Sequence, residues 1–217
     1  MAGPVVLVAP HPDDETLGCG GYLAQCRDAG RRVHVIVLTQ GEKLFSHGLG
    51  IHTDPSPEQV RDMRREETLQ ATAILGLEPA EVRFLDYADR SLSGCEAEVA
   101  ACLVPLLRDV APAEVLCTGP QEGHPDHRAA SAIVRLACAQ AAPQAAIRWY
   151  ITTLAAGTDP SSLAGARRIA IGAQLARKSR AVARFRAHLE IISPRQTAPI
   201  VAGFAQYLVD HEILIDA

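Results

Sequence analysis

The chain has 217 residues, of which 48% are hydrophobic and 21% are charged, as in an ordinary globular protein that folds as one domain with a full core. Its formal net charge of -4 argues against a nucleic-acid partner, because phosphates are bound by clusters of Lys and Arg. The composition also argues against a membrane span, because no apolar run reaches the roughly 18 residues that a bilayer requires.

Short apolar runs alternate with helical stretches along the first two thirds of the chain. Strands are predicted at residues 5–9, 33–38, 82–85, 115–118 and 147–151. Helices are predicted at residues 16–29, 57–75, 96–110 and 126–141. The second helix carries clear end signals, because Ser56 and Gln59 can form a capping box and Gly76 follows its last residue. Residues 39–55 are rich in Gly and His and long enough to indicate a functional loop or lid.

This alternation predicts a Rossmann-like α/β fold, a three-layer sandwich with a mostly parallel sheet in the strand order 3-2-1-4-5. After about residue 152 the pattern weakens, and it predicts a strand near Ile169 and helices at residues 173–188 and 198–209. We interpret residues 1–217 as a single domain. Its last part is expected to form a small C-terminal cap.

The expected compartment is the cytoplasm. The apolar run at residues 5–9 is too short for a signal peptide, and no basic region precedes it. The six cysteines form no CxxC pair, and this usage is typical of small buried side chains in a reducing compartment.

Two loops contain the residues that can carry chemistry. The first follows strand one and spans residues 10–15, and the second follows strand four and spans residues 123–127. Both contain the triplet His-Pro-Asp. In an open sheet of the predicted order, strands one and four are neighbours where the order reverses, and ligands bind at that edge. The two loops are therefore expected to face each other across one crevice.

The residue types in these loops favour a metal site. A catalytic zinc ion takes three nitrogen or oxygen ligands from the protein and leaves a position for water, which it activates for hydrolysis. His11 and Asp14 lie three residues apart in a tight turn, so both can reach one ion, and a histidine of the second loop would complete the set. Asp13 then remains to take a proton from the water. The other histidine of the second loop can stabilise an oxyanion or protonate the leaving amine.

A purely structural interpretation of the loops is the alternative. Acidic residues stabilise helix N-termini, so the acids at these positions could have a purely structural role: Asp13, Asp14, Glu15 and Asp126. Pro125 likewise suits the first position of a helix. The same His-Pro-Asp pattern after two separate apolar strands nevertheless favours a functional site.

The two loops together resemble the paired signature of the N-acetylglucosaminyl-phosphatidylinositol deacetylase family, also called PIG-L or LmbE-like. Residues 11–15 read His-Pro-Asp-Asp-Glu and residues 124–127 read His-Pro-Asp-His. The resemblance extends through most of the first 130 residues and includes Arg64-x-x-Glu67. It implies a metal-dependent N-deacetylase of Rossmann-like fold. Its substrate would be an amino sugar, such as a glycoside of N-acetylglucosamine, from which zinc-dependent hydrolysis removes an N-acyl and usually N-acetyl group.

The resemblance also implies roles for individual residues. It implies three zinc ligands: His11, Asp14 and His127. Asp13 would be the general base, and His124 would act on the oxyanion and the leaving group while Asp126 orients it. Ferrous iron or cobalt could replace zinc, because the same donors accept all three metals.

Three residues are candidates for substrate binding: Arg64, Asp89 and Glu122. Arg64 resembles a family arginine that meets substrate hydroxyls, although a solvated helix face shared with Arg61 and Arg65 is an equal alternative. Asp89 resembles an acid that contacts the sugar. Glu122 departs from the branch acting on sugar-thiol precursors, which has an aromatic hydroxyl there, and a carboxylate cannot donate unless it is protonated. That substrate branch is therefore in doubt.

The remaining histidines have no matching partner in the family pattern. His34 is interpreted as a strand residue, and His188 is placed with the surface or the lid, as are His47, His52 and His211. His47 or His52 could reach the substrate if the lid closes.

Other functions stay open at this point. The same hydrolase could act on an antibiotic-type or non-sugar amide, or the chain could be an inactive binding protein, although a mere metal site needs neither Asp13 nor His124. Residues 18–21 read Gly-Cys-Gly-Gly and suggest a nucleotide-binding module, but Leu23 takes the place of the last glycine. The expected partner is a small amino-sugar molecule, with no nucleic acid and no membrane span. The sequence assigns no oligomeric state.

Overall fold

A computed structural model describes residues 3–153 and 159–217. The strands are β1 (Val5–Ala9), β2 (Val33–Thr39), β3 (Val82–Tyr87), β4 (Glu114–Thr118), β5 (Ala146–Tyr150), β6 (Ala166–Ala170) and β7 (His211–Asp216). The α-helices are α1 (Asp14–Asp28), α2 (Leu44–Leu49), α3 (Pro57–Leu75), α4 (Glu96–Val110), α5 (Pro125–Ala141), α6 (Leu175–Val182) and α7 (Arg186–Leu189). The predicted strands and the first four predicted helices agree with these bounds to within three residues at each end.

The strands form one sheet in the order β3-β2-β1-β4-β5-β7-β6. The first five strands in this order are parallel, which confirms the predicted order 3-2-1-4-5. β7 pairs antiparallel with β5, and β6 pairs antiparallel with β7. The C-terminal part therefore extends the sheet at one edge. The strand predicted near Ile169 is β6, whereas β7 was not predicted.

Helices cover both faces of the sheet and confirm the three-layer α/β fold. One layer contains α1, α3 and α6, and the other contains α4 and α5. All five residues of β1 are buried, as expected for a parallel strand between two helical layers. The strand order reverses at β1 and β4, so the crevice between the carboxyl ends of these strands is the place where such folds bind ligands.

The ends of α3 form as predicted. The Ser56 hydroxyl accepts a hydrogen bond from the Gln59 backbone N–H at 3.3 Å, and the Ser56 N–H donates to Oε1 of Gln59 at 2.8 Å. This reciprocal capping box satisfies two free N–H groups at the helix start. Gly76 ends the helix at φ 99°, a positive value that favours glycine.

Two helices predicted in the C-terminal part differ in the structure. The helix predicted at 173–188 is divided into α6, which ends at Val182, and α7. The chain turns between them towards α3, where the Ala187 N–H donates to Oε1 of Glu67 at 2.8 Å. The helix predicted at 198–209 is wrong, because the described structure there is one short 3-10 turn, Ala205–Tyr207. Gly203 lies in the middle of this segment and is a poor helix former. The segment predicted as a lid contains α2.

Gly18 and Gly21 lie inside α1 and serve close packing. A Cβ atom at Gly18 would lie 2.3 Å from Cδ2 of Tyr150, and one at Gly21 would lie 2.5 Å from Cδ1 of Ile171. Glycine lets β5 and the C-terminal segment approach the helix. The nucleotide-binding interpretation of residues 18–21 is therefore wrong, because these glycines are within a helix and not in a phosphate-binding loop.

All six cysteines lie in the described residues and are free, and four of them are buried. Within residues 3–153 and 159–217, no helix combines the length and the apolar character that crossing a membrane requires.

A buried ion pair joins the C-terminal part to α1. Nζ of Lys178 lies 2.7 Å from Oε1 of Glu212, and both side chains are almost completely buried. Lys178 also donates to the Leu17 carbonyl oxygen, and the N–H groups of Gly21 and Tyr22 donate to the Glu212 carboxylate at 2.8 Å each. The pair thus binds three backbone groups of α1: the Leu17 carbonyl oxygen and the N–H groups of Gly21 and Tyr22.

We expect Lys178→Met to lower the free energy of unfolding by about 3–5 kcal/mol, because it leaves the Glu212 carboxylate buried without a counter-charge. The double variant Lys178→Met/Glu212→Gln should recover part of this loss. The measurement is urea denaturation of the three proteins. Arg186→Met is the control, because it breaks an exposed ion pair with Glu190 and should change stability much less. An effect of Lys178→Met no larger than that of the control would contradict the role of the buried pair.

Candidate metal centre

The two His-Pro-Asp loops meet at the carboxyl ends of β1 and β4. His11 and Asp14 come from the β1 end, and His124 and His127 come from the β4 end and the first turn of α5. The ring centroids of the three histidines are 4.6 to 5.1 Å apart. Parallel pairing of β1 with β4 is the reason that residues more than 100 positions apart in the chain form one cluster.

Three donor atoms form a nearly equilateral triangle. Nδ1 of His11 lies 3.1 Å from Nε2 of His127 and 3.3 Å from Oδ2 of Asp14, and these last two atoms are 3.2 Å apart. Donors around a tetrahedral zinc ion lie about 2.0–2.1 Å from the metal and hence about 3.3–3.4 Å from one another. The size of the triangle and its nitrogen and oxygen donors therefore fit a zinc-type ion.

Other donor combinations share His11. The ligand atoms of His11, His124 and His127 lie within 4.8 Å of one another, as do those of His11, Asp89 and Asp126. The cluster is thus a candidate metal site by more than one choice of donors.

Carboxylates hold the ring nitrogens that point away from the triangle. Nε2 of His11 lies 3.3 Å from Oδ2 of Asp126 and 3.3 Å from Oδ1 of Asp89. Nδ1 of His127 lies 3.1 Å from Oε2 of Glu122. An acceptor at the outer nitrogen keeps the proton there and leaves the inner nitrogen free to bind a metal.

The charges of the cluster change the pKa values of its members. Burial lowers the pKa of His11, but the surrounding carboxylates outweigh it and raise that pKa well above its usual value. Burial also opposes the charged form of His127, and the Asp14 carboxylate outweighs it and raises the pKa of His127 to about 9. The two histidines in turn outweigh burial at Asp14 and hold its pKa well below the usual range. The cluster therefore stabilises positive charge at its centre.

Asp13 stands beside the triangle in a strained backbone conformation. Its φ of 112° is rare for a residue other than glycine, and such strain is concentrated at functional sites. Oδ2 of Asp13 accepts a hydrogen bond from Nη2 of Arg64 at 3.1 Å and lies 3.3 Å from Nε2 of His188. Burial raises the pKa of Asp13 to about 6, although Arg64 opposes this. Asp13 is therefore mostly ionised at neutral pH.

Arg64 supports the first loop from α3. It is buried, and its guanidinium donates to the carbonyl oxygens of Gly41 and Pro12 as well as to Asp13. The alternative of a solvated face is wrong for Arg64, since the side chains of Arg61 and Arg65 are 35% and 39% exposed and that of Arg64 is 6% exposed. Arg64 still lines the cavity described below.

His124 caps α5 and presents one ring nitrogen to the site. Its Nδ1 accepts a hydrogen bond from the Asp126 N–H at 3.2 Å. In the neutral ring the proton is therefore on Nε2. Burial lowers the pKa of His124 to about 4, and the positive charges of His11 and His127 act in the same direction.

The resemblance implies that Asp126 orients His124, but the Asp126 carboxylate makes no hydrogen bond to the His124 ring. The carboxylate is fully buried and faces His11, and it accepts hydrogen bonds from the N–H groups of Arg90 at 2.7 Å and Leu92 at 3.2 Å. α5 begins at Pro125, which has no N–H, so the N–H of Asp126 is the first of the helix, and Nδ1 of His124 accepts it.

Glu122 lies behind His127 and does not line the cavity. The predicted contact between Glu122 and the substrate is therefore not supported. It is 1% exposed, and its oxygens accept hydrogen bonds from the N–H groups of Thr152 at 2.9 Å and Thr153 at 2.6 Å in addition to the His127 contact. A carboxylate satisfied on all sides supports its neighbours and has no free position for a ligand.

We expect Glu122→Gln to weaken zinc binding by about 10–100-fold, because an amide presents a donor where His127 and the threonine N–H groups need acceptors. Competition with a chelating dye measures the change. Glu58→Gln is the matched control, since Glu58 is exposed at the start of α3 and its substitution should leave the affinity unchanged. Equal affinities in the two variants would show that Glu122 does not orient His127.

A cavity of about 320 Å³ opens over the cluster. Asp13, Asp14, Asp89 and the three clustered histidines line it, as sequence reasoning had proposed for a site at this edge. His188 also lines it, which corrects its interpretation as a surface or lid residue, since only 8% of it is exposed. No spacing in the sequence connects His188 with the two loops, and only the turn into α7 brings it to Asp13.

Several further lining residues were not candidates from the sequence. They are Lys43, Arg90, Thr152, Thr153, Ile200, Val201, Phe204 and Tyr207. His47 lines the cavity as well, in agreement with its position in the predicted lid. The C-terminal residues form an apolar part of the wall, and Tyr207 donates to the Thr152 carbonyl oxygen at 2.7 Å.

Comparison with known proteins matches the GlcNAc-PI de-N-acetylase (PIG-L) family model to residues 6–138. The chain is 33% identical over 127 residues to the diacetylchitobiose deacetylase of Thermococcus kodakarensis, a match that covers 57% of this chain and 45% of that protein. It is 30% identical over 198 residues to the 1D-myo-inositol 2-acetamido-2-deoxy-alpha-D-glucopyranoside deacetylase of Acidothermus cellulolyticus, covering 76% of this chain and 67% of the relative. The chain thus spans about half of the first relative and two thirds of the second.

A solved structure supports the fold over nearly the whole chain. A conserved protein of Thermus thermophilus has a TM-score of 0.70 and 26% identity, and the match covers 98% of this chain and 93% of that protein. The similarity therefore includes the C-terminal part, beyond the residues that the family model matches.

Proposed function

This chain belongs to the GlcNAc-PI de-N-acetylase (PIG-L) family, and on that basis we propose that it hydrolyses the N-acetyl group of an amino-sugar substrate in a metal-dependent reaction. The observation that carries the proposal is the triangle of His11 Nδ1, Asp14 Oδ2 and His127 Nε2 beside the strained Asp13. Water and the amide would give a free amine and acetate, because the new C–O bond replaces the amide C–N bond.

The proposed metal ligands are His11, Asp14 and His127. Their spacing matches the edge of a tetrahedral site, and carboxylates support both histidines at the opposite nitrogen. A bound zinc ion would polarise the amide carbonyl and lower the pKa of water, and ferrous iron or cobalt could act in the same way. The cluster raises the pKa of both histidines, so the protein supplies the negative surroundings that such an ion needs.

Asp13 is the proposed general base. Arg64 and His188 hold its Oδ2, and no hydrogen bond from the described residues reaches Oδ1. A carboxylate with a pKa of about 6 is ionised at neutral pH and is basic enough to take a proton from water. Because Oδ2 is held, Oδ1 would be the oxygen that takes the proton from water.

His124 is the proposed donor to the oxyanion. Because its Nδ1 accepts the Asp126 N–H, its Nε2 carries the proton and can donate to the carbonyl oxygen as charge develops there. The proton that Asp13 removes from water balances the one that the leaving nitrogen gains. We propose that Asp126 orients His11, and that Glu122 orients His127 in place of the substrate contact expected from the sequence.

Asp89 and Arg64 remain the proposed contacts for the sugar. Both line the cavity, and both are held by other protein groups, since Oδ1 of Asp89 faces His11 and Arg64 holds the first loop. A rigid carboxylate and guanidinium can bind sugar hydroxyls with little loss of side-chain entropy.

The test is acetate release from the methyl α-glycoside of N-acetylglucosamine. The protein is assayed after chelation and again after zinc is restored, and metal content is measured on the same samples. Zinc-dependent acetate would support the proposal. Bound zinc without acetate from any N-acetylglucosamine glycoside would reject the amino-sugar substrate, and a protein that binds no metal would reject the hydrolase as a whole.

A further inference from the structure

Glu15 is a fully buried acid directly after Asp14, and it is not one of the described residues that line the cavity. Its Oε2 accepts a hydrogen bond from the backbone N–H of Asp13 at 3.0 Å. Its Oε1 accepts a hydrogen bond from the hydroxyl of Thr16 at 2.6 Å, and Thr16 is fully buried as well. The Glu15 carboxyl group is therefore held at both oxygens, and one of its partners is the backbone of the proposed general base.

Asp13 precedes α1 at the position where an aspartate normally caps a helix. A capping aspartate has an extended backbone, and its side chain accepts an N–H group of the first turn. Asp13 instead has φ 112° and ψ -31°, and its side chain makes no capping hydrogen bond. Its carboxylate faces Arg64 and His188 at the cavity. The strained backbone of Asp13 thus accompanies a carboxylate that is turned to the site and away from the helix start.

The start of α4 shows the same local hydrogen bond. Oε2 of Glu96 accepts the N–H of Gly94 at 2.8 Å, and Gly94 also has a positive φ, of 90°. In both places a glutamate in the first turn of a helix binds the N–H of the residue two positions before it. The residue with positive φ is a glycine at α4, and glycine adopts such values readily. At α1 it is Asp13, whose conformation has to be stabilised by its surroundings.

We propose that Glu15 is a positioning residue, which holds Asp13 in its strained conformation and so keeps Oδ1 of Asp13 directed to the water that it deprotonates. This inference rests on the proposed function, because it concerns the general base of the same site. Without the Glu15 acceptor, the buried N–H of Asp13 would lose its partner. A relaxed Asp13 could then cap α1 with its carboxylate, which would remove the base from the site.

Two conservative replacements of Glu15 separate this role from the general preference of helix N-termini for acids. Glu15→Gln removes the acid but keeps an oxygen that can reach the Asp13 N–H. Glu15→Asp keeps the acid, which suits a helix N-terminus, but shortens the side chain by one methylene group. The two explanations therefore predict opposite orders of activity for these variants.

The first measurement is kcat and KM of zinc-dependent acetate release. We expect Glu15→Gln to retain kcat within about threefold and Glu15→Asp to lower it about 10–100-fold, because small displacements of a catalytic group have effects of this size. KM should change little in either variant, since Glu15 is not on the cavity wall. A kcat of Glu15→Asp equal to that of the original protein would overturn the inference, as would a lower kcat in Glu15→Gln than in Glu15→Asp.

Glu96→Asp is the matched control, because it shortens the glutamate that makes the equivalent hydrogen bond at α4. Its kcat should equal that of the original protein. The zinc dissociation constant, measured with a chelating dye, should be the same in all variants, because the three proposed ligands remain. A loss of kcat in Glu96→Asp as large as that in Glu15→Asp would contradict positioning, and so would weaker zinc binding that accounts for the loss.

Hydrogen exchange of the Asp13 amide, followed by NMR, tests positioning without turnover. Exchange should be at least about tenfold faster in Glu15→Asp and nearly unchanged in Glu15→Gln, because only the shorter side chain leaves this N–H without an acceptor. The amide of Leu23, a buried residue within α1, is the internal reference and should not change. Faster exchange at Asp13 without acetate release from any variant would support positioning and reject the proposed function. Acetate release with unchanged exchange at Asp13 would overturn this inference alone.

Discussion

Replacement of Asp13 by asparagine is expected to lower kcat about a hundred- to ten-thousand-fold while the protein still binds one zinc ion per chain. The asparagine oxygen can accept the hydrogen bond of Arg64 in place of Oδ2, but the amide cannot take a proton from water at neutral pH. Asparagine is also suited to the backbone, because Asn and Asp adopt positive φ more readily than most residues. Alanine at this position would be a less clear test, because it would add backbone strain to the loss of the base.

The measurements are steady-state acetate release and metal content of the purified variant. Asp86→Asn is the matched control, because Asp86 also has a positive φ, of 60°, and lies outside the site in an exposed pair with Arg65. Its substitution should change neither quantity. Loss of zinc in Asp13→Asn would contradict the division of roles between Asp13 and Asp14, and retained activity would exclude Asp13 as the base.

Replacement of His127 by alanine is expected to weaken zinc binding more than the Glu122 variant does, and to abolish metal-dependent acetate release. The change removes one of three donors and also leaves Asp14 and Glu122 facing a buried gap. His52→Ala is the control, because His52 is exposed and is not part of the cluster. Circular dichroism confirms folding before metal is measured, and His127→Gln repeats the test with a side chain that fills the space. Full zinc occupancy in both variants would reject His127 as a ligand.

Zinc binding should also release protons and depend on pH. A metal binds the neutral imidazole, and the pKa of His127 in the free site is raised to about 9. Below that pH a proton must leave His127 before zinc can bind, and the raised pKa of His11 means that this ligand must lose a proton as well, so the apparent affinity should rise with pH between 6 and 9. Titration in two buffers of different protonation enthalpy measures the proton release. An affinity that is constant between pH 6 and 9 would contradict the raised pKa.

Local patterns determined most of the parallel half of the fold. Five short, largely apolar runs became β1 to β5, and β1 and β4 are buried throughout, as strands covered by helices on both faces are. Ser56, Gln59 and Gly76 determined the ends of α3 through bonds that span at most four residues. The repeated His-Pro-Asp loops and the strand order together predicted that residues 11–15 and 124–127 would meet.

The C-terminal part depended on tertiary contacts. The segment 198–209 has enough apolar residues for a helix, but Phe204 packs near His188 and Tyr207 bonds the Thr152 carbonyl oxygen. These contacts hold it at the cavity wall, to which Ile200, Val201, Phe204 and Tyr207 contribute. β7 was missed because Glu212, a buried acid in the strand, is stabilised by Lys178 and by N–H groups of α1, and no local pattern indicates such partners.

The sequence by itself determined the layers, the order of the parallel strands and the loops that contain the candidate donors, since these follow from periodicity and short-range bonds. Only the tertiary structure decided which carboxylate faces which histidine: Asp126 turned to His11 and Glu122 to His127. It also brought His188 to Asp13 and held Arg90 in a conformation that suits glycine. Each of these arrangements depends on side chains from distant elements that satisfy buried polar groups. The spacing of residues along the chain does not predict which of these groups will meet.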